Sequence, residues 1–215
     1  MKKIKYILCA CLMMASLDME AKSMKDLLVS MPDSMTPALN SNLRLEFAEL
    51  QEMGVKAEVK TLLGEASVMD TLAQDFVQIR LSSASTLQMK KLPMEQGDSV
   101  ICVVKTFAGP EKESELHLFT QDWKALDASR LFDGKSIGEL AGSLVQKPDT
   151  MSESRFEELK AMIEPRMVSA LLLQHENAVV VRLSLPLLST EDKKLVNAIK
   201  LQRKFNWSGK SFKES

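Results

Sequence analysis

Apolar positions near the start of the chain recur with a helical period. Residues 26–31 predict a short helix, and a longer amphipathic helix is expected to begin after a Thr36 N-cap and to end at Gly54. Arg44 falls elsewhere on the helical wheel, away from the apolar stripe. The apolar positions of this longer helix are Leu39, Leu43, Phe47 and Leu50.

Beyond Gly64 the apolar period changes from helical to two, which is typical of half-buried strands. Residues 55–60 alternate in a way that fits either helix or strand. Short turns rich in Ser, Gly, Asp and Pro separate the later runs, as an antiparallel meander requires. The predicted strands of this part are 67–72, 76–82, 86–92, 99–107 and 115–123.

A second series of helices and strands follows. Ser136 is the predicted cap of a helix over 137–145, and Thr150 with Glu153 forms a capping box for a helix over 151–163. Charged residues after 185 are interpreted as a turn. The predicted strands of this part are 167–174, 178–185 and 197–207.

These elements predict the α+β class, with antiparallel β-sheet packed against helices in one domain over residues 23–215. The blocks 98–107 and 176–185 look alike, and each return strand is predicted to end at a tryptophan, Trp123 or Trp207. Two similar helix-plus-sheet halves, 23–127 and 128–215, would explain this. Duplication and convergence on one hairpin geometry both stay open.

The first residues predict a signal peptide over 1–22. MKKIK supplies a positive segment, and YILCACLMMASL is an apolar run that is too short to span a bilayer. The protein is therefore expected to be exported, with cleavage leaving a start between residues 22 and 24. Cys9 and Cys11 are interpreted as part of the apolar run, and lipidation of Cys11 is the alternative.

Composition places the chain among ordinary globular proteins, with 45% hydrophobic and 27% charged residues. Cleavage would leave Cys102 as the single cysteine, so no internal disulfide is expected. No later apolar stretch has the length of a transmembrane helix.

The strongest enzymatic hypothesis pairs Cys102, as a thiolate, with His117 or His175 as a base. Cys102 lies in the middle of the apolar run VICVV, where a free cysteine usually packs as an inert hydrophobic residue. The sequence has no cluster of metal ligands, no Gly-rich phosphate loop and no nucleophile elbow, so neither a metal nor another cofactor is predicted. A hydrolase that uses carboxylates distant in sequence is a further alternative.

Charge is distributed unevenly along the chain. Residues 193–213 carry seven basic residues and no acidic residue, whereas the rest of the predicted mature chain has a net charge of −9. One interpretation is a lysine-rich solvent face on an edge strand. The other is a surface for an anionic envelope component or acidic protein, made by Lys200, Lys204, Lys210 and Trp207. Nucleic acid is not an expected partner of an exported protein.

Several segments resemble the signature of an uncharacterised family, a domain of unknown function, found in exported proteins of Bacteroidales bacteria. The resemblance implies a shared fold and secretion into the periplasm or cell envelope of a Gram-negative bacterium. It implies no catalytic residues, and it favours a non-catalytic binding or envelope-associated module over the thiol or carboxylate hydrolase. The segments are SMKDL (23–27), SMPDS (30–34), LNSNLR (39–44), VKAEVK (55–60), VMDTL (68–72), DSVICVVKT (98–106) and TQDW (120–123).

Overall fold

The computed structural model describes residues 22–109, 111–163, 167–185, 187–199 and 201–215. The predicted signal peptide, with Cys9 and Cys11, falls outside the described residues, apart from its last position. Lys200 falls outside them too. Within the described ranges, no helix has the length and apolar character needed to cross a membrane.

The α+β class is confirmed, because the described residues form helices and two antiparallel sheets. The α-helices are α1 (Met24–Ser30), α2 (Ser41–Glu52), α3 (Ala141–Leu144), α4 (Glu153–Ala161) and α5 (Thr190–Val196). Single turns of 3₁₀ helix cover Asp33–Met35 and Gly138–Leu140.

The large sheet is a meander of seven strands in chain order, and the small sheet has the order β11-β10-β9-β8. The strands of the large sheet are β1 (Glu58–Lys60), β2 (Ala66–Leu72), β3 (Phe76–Ser82), β4 (Ser85–Pro93), β5 (Ser99–Ala108), β6 (Lys112–Phe119) and β7 (Ala125–Leu126). The strands of the small sheet are β8 (Met167–Leu172), β9 (Ala178–Ser184), β10 (Gln202–Trp207) and β11 (Phe212–Glu214).

Two of the predicted helix starts are wrong. Helix α2 is capped by Asn40, whose side chain accepts the N–H of Leu43 at 3.1 Å, rather than by Thr36. Helix α4 is capped by Ser152 instead of Thr150. The predicted end of α2 is confirmed, since Gly54 follows the helix with φ of +69°, a conformation that glycine adopts without strain.

The last predicted strand is wrong over its first half. Residues after 189 form helix α5, which Ser189 caps by accepting the N–H of Asp192 at 3.1 Å, and the strand begins only at Gln202. Strand β10 pairs with both β9 and β11, so it is not the edge strand that the lysine-rich interpretation required. Trp207 does end its strand.

The first of the two similar hairpins also differs from its prediction. Strand β6 ends at Phe119, and Trp123 lies in the following turn with φ of +60°. Strands β5 and β6 are joined by a short turn, whereas helix α5 lies between β9 and β10. The two blocks therefore share their strand patterns but not their connections.

The large sheet is buried on both faces, which accounts for the continuous apolar run in β5. Ile101 and Val103 point to a core formed with α1 and α2. Cys102 and Val104 point to the other side, into a core formed with the small sheet and the later helices. The chain thus packs as a helical layer, the large sheet, and a layer containing the small sheet.

Candidate functional site

Strand β8 lies across the face of the large sheet and is attached to it by side chains. The N–H of Leu172 donates to Oε1 of Gln88 at 2.9 Å, and the N–H of Ala170 donates to Oγ of Ser114 at 3.0 Å. Nζ of Lys90, which is almost fully buried, donates to the carbonyl of Gln174 at 2.9 Å. On the side of β8 away from β9, the N–H groups of Ala170 and Leu172 therefore have partners, as buried polar groups require.

This crossing separates the inner face of the large sheet into an apolar and a polar half. The apolar half packs in the core shared with the small sheet and contains Leu92, Val100, Cys102, Val104, Leu116 and Leu118. The polar half lines a cavity of about 360 Å³ on the other side of β8 and contains Gln78, Thr86, Gln88, Thr106 and Lys112.

Three cavities meet at Arg182 on β9. Their volumes are about 460, 850 and 360 Å³, and Arg182 lines all three. Its side chain is exposed, and in the described part of the chain its guanidinium has neither a hydrogen-bond acceptor nor a carboxylate partner. We call the combined depression the Arg182 groove. An unpaired guanidinium offers five donors in a fixed planar array to a ligand.

Amides, hydroxyls and cations make up the polar lining of the Arg182 groove. Nε2 of Gln88 donates to Oε1 of Gln78 at 2.9 Å, which fixes both amides against the sheet. Lys193 is paired with Glu111, the one acidic residue that lines these cavities in the described ranges. Arg182 and Lys112 remain without a carboxylate partner there, so the groove has a net positive charge.

The structure separates Cys102 from His117. Cys102 pairs in register with Leu118, whereas His117 pairs with Val103, so the two side chains point to opposite faces of the sheet. Burial raises the pKa of the Cys102 thiol far above its usual value. His117 is about half exposed, and His175 lies exposed in the turn after β8. The predicted packing role of Cys102 is therefore confirmed by its burial.

Native Cys102 is expected to react slowly with a thiol reagent, because it has no exposed surface and its thiolate is disfavoured. The measurement follows colour release from Ellman's reagent at neutral pH, in buffer and in denaturant. Labelling should become fast only in denaturant. Fast labelling of the folded protein would contradict the buried position of Cys102 and would support the hypothesis of a thiol enzyme.

The predicted basic surface is largely paired with acidic residues from elsewhere. Lys204 is paired with Glu176, and Lys210 is exposed. The further pairs in the basic segment are Arg203–Glu214, Lys213–Asp133 and Lys193–Glu111. These pairs favour a solvent face over a concentrated cationic patch. The role of Lys200, Lys204 and Lys210 as a partner site stays a prediction.

Trp207 links the small sheet to the large sheet by a hydrogen bond. Its Nε1 donates to the carbonyl of Pro93 at 2.6 Å, and its ring packs edge-on against Phe212 with centroids 5.1 Å apart. Both contacts are internal, so the part of the ring they occupy is unavailable to a partner.

Sequence reasoning missed the Arg182 groove. Polar residues stand at every second position of β3 and β4, a pattern that usually indicates the solvent face of a half-buried sheet. The near-continuous apolar run in β5 is the signal that the sheet is covered on both faces instead of one. Polar side chains there face a second layer.

The chain was compared with known proteins. The family model described as "Protein of unknown function (DUF3256)" matches residues 16–212, most of the chain. The chain belongs to this family. The DUF3256 match confirms the resemblance to an uncharacterised family, for which no catalytic function is known.

One similar solved structure is that of a domain of an uncharacterized protein from Porphyromonas gingivalis W83. It is 21% identical, with a TM-score of 0.70, and the alignment covers 91% of this chain and 100% of that one. This likeness shows a shared fold with a Bacteroidales protein. The search of curated proteins found no match.

Proposed function

We propose that this DUF3256 protein is an exported, non-catalytic module that binds an acidic oligosaccharide of the cell envelope in the Arg182 groove. The observation that carries this proposal is the guanidinium of Arg182, which lies where three cavities meet and has no acceptor or carboxylate partner among the described residues. Clefts with a few converging polar groups are the usual ligand sites of proteins.

Charge favours an acidic ligand. A guanidinium binds a carboxylate through two parallel hydrogen bonds, and Lys112 adds a second cation to the same cavity. In the described chain, Glu111 is the one acidic residue of the lining, and Lys193 neutralises it. A carboxylate at Arg182 would therefore meet little repulsion.

The remaining lining favours a ligand rich in hydroxyl groups. Amides of Gln78, Gln88 and Gln202 lie around the cavity together with the hydroxyls of Thr86 and Thr106. Amides and hydroxyls both donate and accept, which matches the donors and acceptors of sugar hydroxyls. A lipid tail would leave the hydroxyl of Thr86 and the amide of Gln202 unsatisfied, since the described residues give neither side chain a partner.

Export and envelope association rest on the amino-acid sequence. The positive segment followed by a short apolar run is typical of a signal peptide. Periplasm or cell envelope of a Gram-negative bacterium is the location we propose, and it would place the groove next to envelope polysaccharide.

Replacement of Arg182 with glutamine should weaken binding of oligogalacturonate about tenfold or more, because one bidentate charged contact is lost. Isothermal titration calorimetry measures this, with added salt expected to weaken wild-type binding. The neutral cello-oligosaccharides are the ligand control.

Arg80→Gln is the matched control variant, since Arg80 is an exposed arginine that pairs with Asp70 and lines none of the three cavities. It should bind as the wild type does. Equal binding by the Arg182 variant, or no preference for the acidic oligosaccharide, would sink the proposal.

A further inference from the structure

A separate cavity of about 350 Å³ lies on the helical side of the large sheet. The hairpin turn between β1 and β2, the turn between β3 and β4, and the end of β5 meet there with the segment before α2. Its apolar lining includes Pro37, Leu39, Leu63, Leu81, Ala84 and Phe107, and its charged residues are Lys105 and the exposed Glu65. It shares no residue with the cavities of the Arg182 groove.

Most hydroxyl groups around this cavity form hydrogen bonds with other groups of the protein. Oγ of Ser67 donates to the carbonyl of Leu81 at 2.6 Å, and Ser82 and Ser85 share a hydrogen bond of 3.0 Å. The buried hydroxyl of Thr61 is an exception, with no partner among the described residues. Because most of these polar groups are already hydrogen-bonded within the protein, the surface that a ligand would contact is mainly apolar.

Apolar side chains extend from the rim into solvent. Leu63 is 80% exposed at the tip of the β1–β2 turn, and its neighbour Leu62 is exposed as well. Phe107 is partly exposed on the other side of the cavity. Exposed apolar residues next to an apolar cavity are typical of a binding surface.

Lys105 places a cation at this cavity. Its Nζ lies 5.1 Å from the centre of the Phe107 ring, and its side chain is half-buried. Glu115 lies opposite it in register, yet no carboxylate of the described residues is within ion-pair distance of its ammonium group. Because the ammonium group has no such partner among the described residues, it is available to an anionic ligand.

We propose that this cavity binds a single-chain amphiphile, with its acyl chain in the apolar cavity and its anionic head at Lys105. The exposed Leu62 and Leu63 would cover the part of the chain nearest the opening. The volume is at the lower end of the range for small-molecule sites, which suits one acyl chain. This inference is independent of the Arg182 groove.

The test is calorimetric titration with laurate below its micelle concentration. One saturable site is expected in the wild type, with affinity rising about fourfold for each methylene between octanoate and laurate as apolar surface is buried. Lys105→Gln should weaken laurate binding about tenfold, through loss of a charged contact. It should leave the weaker binding of uncharged dodecanol unchanged.

Leu63→Asp is the second variant, and it should weaken both laurate and dodecanol because it puts a charge at the cavity opening. Lys124→Gln is the matched control, because Lys124 is an exposed lysine that lines neither this cavity nor the Arg182 groove, and it should bind laurate normally. No saturable laurate site, or a site unaffected by both Lys105→Gln and Leu63→Asp, would overturn the proposal. Failure of oligogalacturonate to bind would leave this result unaffected.

Discussion

Replacing Arg44 with methionine should lower the free energy of unfolding by about 3–5 kcal/mol, measured by urea denaturation. The Arg44 side chain is fully buried and donates to main-chain carbonyls at the end of α1 and in the segment after it. Its Nε lies 2.9 Å from the carbonyl of Leu28, and Nη1 lies 2.7 Å from that of Leu39. Its further acceptors are Val29, Met31 and Thr36.

The loss is large because methionine leaves the carbonyls of Val29 and Met31 without a donor among the described residues. The carbonyls of Leu28 and Leu39 each lose one donor and keep a second, from Met31 N–H and Thr36 Oγ1. Carbonyls at the C-terminal end of a helix have no partner within the helix, and each buried one left unpaired costs about 1–3 kcal/mol. Burial lowers the pKa of Arg44, and hydrogen bonding to Asp33 acts against that lowering. The side chain thus remains a charged donor inside the helical layer.

Arg80→Met is the control for this prediction. Arg80 is an exposed residue on β3 whose guanidinium pairs with Asp70 at 2.8 Å. Exposed ion pairs contribute about 1 kcal/mol or less. A similar small loss for both variants would show that the carbonyl contacts of Arg44 do not stabilise the fold.

Phe132→Ala is expected to cost about 3–5 kcal/mol, the usual range for a fully buried phenylalanine. The ring stacks on Phe212 with centroids 5.3 Å apart and meets Phe205 edge-on at 5.2 Å. Next to it, the carbonyl of Leu131 accepts the N–H of Phe212 at 2.8 Å. A segment outside both sheets therefore holds β10 and β11 in place.

The measurement is thermal and urea unfolding of Phe132→Ala, compared with that of the control variant Phe107→Ala. Phe107 is partly exposed, so its truncation should cost about 1 kcal/mol or less. If the two variants lose equally little stability, the aromatic cluster is not what fixes the small sheet.

Local pattern was sufficient to predict most of the strands. The predicted strand 76–82 coincides with β3, and 99–107 differs from β5 by a single residue. These strands pair with their neighbours along the chain, so alternation and turn residues specify them. The predicted helix over 151–163 contains α4, whose apolar residues Phe156 and Leu159 are buried.

Short elements and tertiary contacts were harder to predict. Helix α5 spans seven residues, and its Ser189–Asp192 capping pair was hidden in a charged segment that also suits a turn. Arg44 is of a residue type that usually lies on the solvent-exposed face of a helix. Its burial depends on the carbonyls at the end of α1, and the apolar period of α2 does not indicate where those carbonyls lie.

The candidate site depends on contacts between distant parts of the chain. Gln88 meets Leu172 across 84 residues, and Ser114 meets Ala170 across 56. One sequence carries no information about which strand crosses which. Arg182 interrupts the apolar run of the predicted strand 178–185, but nothing in that strand indicates the polar half of the large sheet that faces it.

The side-chain hydrogen bonds on β8 also limit how other chains can be recognised. A peptide joins a sheet through unpaired main-chain groups, and on β8 the N–H groups of Ala170 and Leu172 are already taken. In the large sheet, β7 pairs only with the last two residues of β6. Among the described residues, the first part of β6 has no strand on this side, and it carries Lys112, Glu113 and Glu115, charges that discourage strand addition. Strand addition is thus disfavoured by different means at β8 and at β6, so recognition at these two places would depend on side chains.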